Sequence, residues 1–205
     1  MYPLTCHCNL QDGKIQDAVN HTLKWIPQIR DQYDEPKFYE AFTDLENPNI
    51  LTYFMTFSDK EAEERIASME KPRKFGEDLY KMCTQEPKWI EHELVNSIRN
   101  SKPDSQIHTR VEYKVKPDVV SDVKKQIVNY IDAVRDAEPD IRVYESYQNK
   151  EEPSKFTHLA EFKDKAAEQN HKDVSHTKKF AEFLWPLCEQ EPKFIYMNMI
   201  GSARR

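Results

Sequence analysis

Glycine is scarce: the chain has three in 205 residues. A backbone loop that cradles phosphate needs several glycines within a short span, so that class of nucleotide site is excluded. Charge of one sign is not in excess either. The formal net charge is -6, with basic residues scattered among acids, so no basic footprint suggests nucleic acid. No apolar run reaches the roughly 18 residues of a membrane span. The opening Met1–Cys8 stretch lacks the charged and apolar regions of a signal peptide, and a cytoplasmic location is expected.

Cysteine is also sparse, with four in all. Cys6-His7-Cys8 has the residue types of a metal motif. On a strand, however, successive side chains face opposite ways, so the two thiols would point to one face and His7 to the other. No second Cys/His cluster lies nearby, and no metal is expected. The remaining two, Cys83 and Cys188, occupy matching positions and read as equivalent buried thiols at helix ends.

That match is part of a larger one. Residues 4–97 laid over 109–202, an ungapped offset of 105, are identical at 25 of 94 positions. The clearest stretch is 83–90 against 188–195, Cys-Thr-Gln-Glu-Pro-Lys-Trp-Ile against Cys-Glu-Gln-Glu-Pro-Lys-Phe-Ile. A period this long exceeds a solenoid unit of roughly 20–50 residues and marks a duplicated domain. The copies span 1–98 and 108–205, joined by a linker at 99–107.

The second copy shows its elements most clearly. Thr109–Lys116 alternates as a strand. Val120, Val123, Ile127, Ile131 and Val134 recur at helical spacing, which predicts an amphipathic helix over 118–137. Strands follow at Val143–Gln148 and Lys155–Phe162. Asp164 opens a short helix through His171, and Asp173 or Ser175 can cap another that Pro186 tightens or ends. Phe194–Ile200 is the last strand. The first copy follows suit: strand 4–10, helix 14–33 with Pro27 expected to kink it, strands 37–43 and 50–57, helices 59–68 and 72–83, strand 88–95. The order β-α-β-β-α-α-β is the ferredoxin-like plan with a broken second helix. Helices cover one face of such a sheet and leave the other to be buried. The predicted fold is therefore α+β: two ferredoxin-like repeats pairing within the chain as a pseudo-dimer, an intrachain dimeric α+β barrel. Pairing between chains, and a further homodimer, stay open.

The segment Phe156-Thr-His-Leu-Ala-Glu-Phe-Lys-Asp-Lys-Ala-Ala167, with His171, His176, Phe180 and Leu184–Cys188, resembles the antibiotic biosynthesis monooxygenase (ABM) family of dimeric α+β barrels. The likeness is good over 108–202 and weak over 4–97. It implies a cofactor-independent oxygenase acting on quinols or other aromatics, a haem-degrading enzyme or an isomerase; other members have no known activity. Family members often carry a glutamate two residues before the aromatic that ends the third strand; Ala160 and Met55 stand there instead. The haem-degrading pattern wants a Trp shortly before the helix histidine, and none occurs between Asp164 and His176.

The copies differ most tellingly at histidine. His158, His171 and His176 face Tyr53, Ile66 and Lys71. An imidazole in an apolar pocket can take a phenolic proton near neutral pH. His171, His176 and His158 are the candidate catalytic residues, and Tyr144, Tyr147, Phe156 and Trp185 the candidate walls of a substrate site. The implied reaction is monooxygenation of a small aromatic or quinol without cofactor. Two alternatives stand: a non-catalytic or stress-responsive barrel binding a small hydrophobic molecule, and a non-redox isomerase. Tyr144-Glu145 recurs as Tyr39-Glu40, which marks architecture.

Overall fold

A computed structural model describes residues 1–101 and 104–204. Lys102 and Pro103 of the linker and Arg205 at the end of the second copy lie outside the described residues. Both repeats have the expected element order. The first contains β1 (Tyr2–Asn9), α1 (Ile15–Gln32), β2 (Phe38–Asp44), β3 (Ile50–Phe57), α2 (Lys60–Ser68), α3 (Glu70–Tyr80) and β4 (Lys88–Arg99). The second contains β5 (Ile107–Lys114), α4 (Val120–Ala137), β6 (Ile141–Asn149), β7 (Lys155–Phe162), α5 (Lys165–Asp173), α6 (Ser175–Leu184) and β8 (Lys193–Arg204). Single 3-10 turns precede α4 at Pro117–Val119 and follow α6 at Trp185–Leu187, where Pro186 stops the α-helix.

Compact units do not coincide with the sequence repeats. The first comprises Met1–His92 and the chain from Asn198 onward; the second is Glu93–Met197. In the first, β1 pairs antiparallel with β3 and β4, and β2 with β3. In the second, β5 pairs with β7 and β8, and β6 with β7. The hydrogen-bonded strand order β1-β3-β2-β8-β5-β7-β6-β4 closes on itself, the intrachain α+β barrel that the repeat implies.

Both β4 and β8 run several residues past their expected ends, which shortens the linker. The cause is tertiary. Val95 and Ile98 of β4 pack into the core of the second unit, while Ile200 and Ala203 of β8 pack into the core of the first. Burial at helical spacing fixes the long helices. Val123, Ile127, Ile131 and Val134 of α4 are fully buried, each worth about 1.5–3 kcal/mol relative to exposure. Helix α1 continues through Pro27, anchored by buried Trp25 and Ile26 before it and Ile29 after it.

Matching caps start α2 and α5. Asp59 accepts from the Ala62 N–H at 2.8 Å, and Asp164 from the Ala167 N–H at 2.9 Å. Asp164→Ala should cost about 1 kcal/mol in urea unfolding. An unchanged midpoint would show that the cap contributes nothing.

The recurring Tyr-Glu pair has a similar explanation. Neighbouring strand residues face opposite ways, so Tyr39 and Tyr144 turn to the helices while their glutamates turn to the other face. There, in the first unit, Glu40 is fully buried and accepts from Arg204 Nε at 2.6 Å. The second unit repeats this: fully buried Glu145 accepts from Arg99 and from the Tyr147 hydroxyl. Arg99 and Arg204 are themselves one repeat apart.

Cys6 and Cys8 lie on one face of β1 with sulfurs 3.9 Å apart, and His7 bonds Thr52 on the other. Cys83 is buried and Cys188 half-buried, and each thiol donates to a carbonyl four residues back.

Candidate active site

Within the second unit, helices α4, α5 and α6 and strands β5–β8 enclose a cavity of about 470 Å³. Its walls are mainly apolar and aromatic, including Val111, Phe162, Phe180 and Leu184. His158, His171, Tyr113, Tyr130 and Tyr144 bring the polar groups. A cavity of this size, apolar with a few converging polar groups, suits a small organic ligand.

His171 sits near the end of α5 and is buried. Its Nδ1 meets the Glu138 carboxylate at 3.0 Å, and its Nε2 meets the Tyr130 hydroxyl at 2.9 Å. Tyr144 donates to the Tyr130 hydroxyl at 3.4 Å. His176, on the first turn of α6, reaches the same Glu138 with Nε2 at 2.6 Å. Glu138 lies just past the C-terminus of α4 and is itself buried. Burial pushes its carboxyl up, but hydrogen bonds and charge from His171 and His176 outweigh burial and hold it below the ordinary carboxylate range. With Glu138 ionised, the proton of neutral His171 belongs on Nδ1 and the carboxylate accepts it. Nε2 is then an acceptor facing the cavity side. The carboxylate both fixes this tautomer and stabilises the imidazolium that forms when Nε2 takes a proton.

His158 behaves differently. It stands on β7, 2% exposed, with Nε2 2.7 Å from the Tyr113 hydroxyl and, among the described residues, no hydrogen-bond partner for Nδ1. Burial, then the charge of His171, brings its pKa from 6.5 down to about 3. This ring stays neutral and can polarise or orient, but it holds a proton poorly. Burial likewise raises the Tyr113, Tyr130 and Tyr144 hydroxyls above the ordinary phenol value, so they are donors and not bases.

The low His158 pKa has a consequence for stability. An unfolded chain takes up a proton at this ring as pH falls through 6.5, whereas the folded chain does not until about 3. Between those values the unfolded state binds more protons, so stability is full above the unfolded pKa and falls as pH drops. The His158→Gln variant should therefore show a shallower decline of Tm on acidification than the wild type. Parallel Tm profiles would refute this.

Of the sequence candidates, His158, His171, Tyr144 and Trp185 line the cavity, Trp185 at 55% exposure. His176 does not line it and acts on Glu138 from behind. Phe156 is buried beneath Tyr113, ring centroids 5.6 Å apart, so it backs the wall without forming it. Tyr147 lies away from the cavity with its hydroxyl on Glu145, three residues along β6 from Tyr144 and hence on the opposite face. Glu138, Tyr130 and Tyr113 were missed by sequence reasoning. The comparison that exposed the histidines carries their signal too, because the first copy has Tyr33, Trp25 and Cys8 at these positions.

Residues 107–182 match the antibiotic biosynthesis monooxygenase family. No curated protein matches the sequence. Among solved structures, the chain is similar to a "putative monooxygenase" from Lactobacillus acidophilus NCFM, with 13% identity and TM-score 0.87 over 99% of this chain and 95% of that one. It is similar to a second protein of that name from Fusobacterium nucleatum, with 12% identity and TM-score 0.89 over 100% and 94%. An "anthrone oxidase-like protein" matches at 10% identity and TM-score 0.68 over 98% and 91%. At such identities these likenesses establish the fold. No helix among the described residues is long and apolar enough to cross a membrane. This tandem α+β barrel thus carries, over residues 107–182, a match to the antibiotic biosynthesis monooxygenase family.

Proposed function

We propose that the C-terminal cavity is the active site of a cofactor-independent monooxygenase whose substrate is a small phenolic, quinol or anthrone-type aromatic. The observation that carries this reading is the relay from Tyr144 and Tyr130 through His171 to Glu138 on the wall of an aromatic-lined cavity. The family match over residues 107–182 and the names of the full-length structural neighbours support monooxygenation as the reaction class.

In the proposed mechanism His171 Nε2 takes the acidic proton of the substrate, directly or through the Tyr130 hydroxyl, and Glu138 stabilises the imidazolium. An anthrone deprotonated in this way is an extended carbanion. It passes one electron to O2, and the resulting radical and superoxide combine to form a C–O bond. The imidazolium returns its proton to the terminal peroxide oxygen. Loss of water then turns the original CH2 into C=O, with one oxygen atom retained and the other leaving as water. Tyr113 and neutral His158 orient the substrate oxygen, and the apolar walls exclude water from the anion. His176 is a positioning residue acting through Glu138.

Oxygen uptake measured against a panel of anthrones and quinols tests the reading. One O2 consumed per carbonyl formed, with one labelled oxygen atom retained from 18O2, supports it. No uptake across the panel, or turnover of a panel member without O2, overturns it.

A further inference from the structure

The first unit contains a cavity of its own, about 310 Å³, at the size where small-ligand sites begin. Sixteen of the twenty positions lining the C-terminal cavity have their counterpart, 105 residues earlier, lining this one. What the copies share is the wall. Tyr39, Phe57, Phe75 and Leu79 repeat Tyr144, Phe162, Phe180 and Leu184. What the first copy lacks is the proton relay. Tyr33, Ile66 and Lys71 stand in place of Glu138, His171 and His176, and Tyr53 replaces His158.

Aromatic rings packed on one another form much of the wall of the first cavity. Trp25 and Phe75 stack with centroids 4.9 Å apart at 14°, and Tyr53 meets Phe75 edge-on at 6.3 Å. Tyr53 shares a 2.7 Å hydrogen bond with Thr22, whose own proton goes to the Ala18 carbonyl. Tyr39 lines the cavity, and its hydroxyl can donate to an acceptor on a ligand. The ionised side chains that touch the cavity, Glu63, Arg73 and Glu77, are partly or fully exposed at its rim. The interior thus offers apolar faces and a neutral donor, with no base.

We propose that the N-terminal cavity is a second binding site, for uncharged flat aromatic carbonyl compounds such as anthraquinones, which it holds without converting them. The choice of ligand class rests on the substrate reading of the C-terminal cavity. The two sites share their wall chemistry, so one chain binds two equivalents and turns over at one.

Gly76 supplies the test. It lines the N-terminal cavity, and a Cβ built there meets no atom of the described residues within 4 Å. It also sits in α3 with ordinary helical backbone, so a side chain there costs no strain. Gly76→Phe should fill the cavity and leave the fold intact; Ala181→Phe is the same change in the C-terminal cavity. Binding of a redox-stable dihydroxyanthraquinone is measured by titration calorimetry on the whole chain. The wild type should bind two equivalents. Gly76→Phe should bind one and keep its oxygen uptake, and Ala181→Phe should bind one and lose it. A wild type that binds one equivalent or none overturns the proposal, as does a folded Gly76→Phe that still binds two. Two equivalents with no uptake on any substrate would sink the oxygenase reading and leave the binding site standing.

Discussion

His171→Ala is expected to lower the rate of oxygen uptake by about 10²- to 10⁴-fold, the range for loss of a general base. KM should change little, since the apolar walls remain. Among the three histidines this one combines position with support. It lines the cavity, is buried, and is held by Glu138 behind and Tyr130 in front. His158 also lines the cavity, but its pKa of about 3 makes it a poor acceptor of a substrate proton. Glu138→Gln should give a smaller loss of rate with KM little changed, because the imidazolium formed in the reaction loses its counter-charge while the cavity walls remain. A merely structural Glu138 would show no such loss in a variant of wild-type stability. Retention of wild-type uptake by a folded His171→Ala variant would remove this residue from the chemistry.

Arg204→Ala should destabilise the chain by about 3 kcal/mol, and Arg99→Ala comparably, as measured by urea unfolding. Each arginine neutralises a glutamate with no exposed surface, Glu40 or Glu145. Removing the arginine takes a counter-charge from a buried carboxylate, and that desolvation cost exceeds the value of the hydrogen bonds alone. The arginine side chains are 22% and 30% exposed, so the effect belongs at the low end of the range for buried pairs. Pairing Arg204→Met with Glu40→Leu should recover most of the loss, since an apolar pair carries no buried charge. A loss that persists in the double variant would mean that Arg204 acts through packing, including its guanidinium over the Phe38 ring at 5.2 Å.

Several features of this protein were legible in its residues alone. The 105-residue repeat established duplication, and apolar spacing in each copy located the strands and helices to within a few residues. Alternation on β1 separated Cys6 and Cys8 from His7. Comparison of the copies singled out three histidines that the structure gathers around one cavity and one carboxylate. These are local or periodic properties, carried by neighbours a few residues apart.

Tertiary structure alone decided the rest. Glu138 precedes His171 by 33 residues and lies beyond a helix end, so no spacing rule joins them; the packing of α4 against α6, and of α6 against α5, does. Tyr147 and Tyr144 read alike as aromatic residues of one strand, and the pleat of β6 sends only Tyr144 to the cavity. The tails of β4 and β8 look like linker and terminus until their apolar residues find a core far away in sequence. The N-terminal cavity has no motif to announce it, because an empty space is made by walls that meet only when the chain has folded. Periodicity records which face of an element is apolar; it does not record what that face will meet.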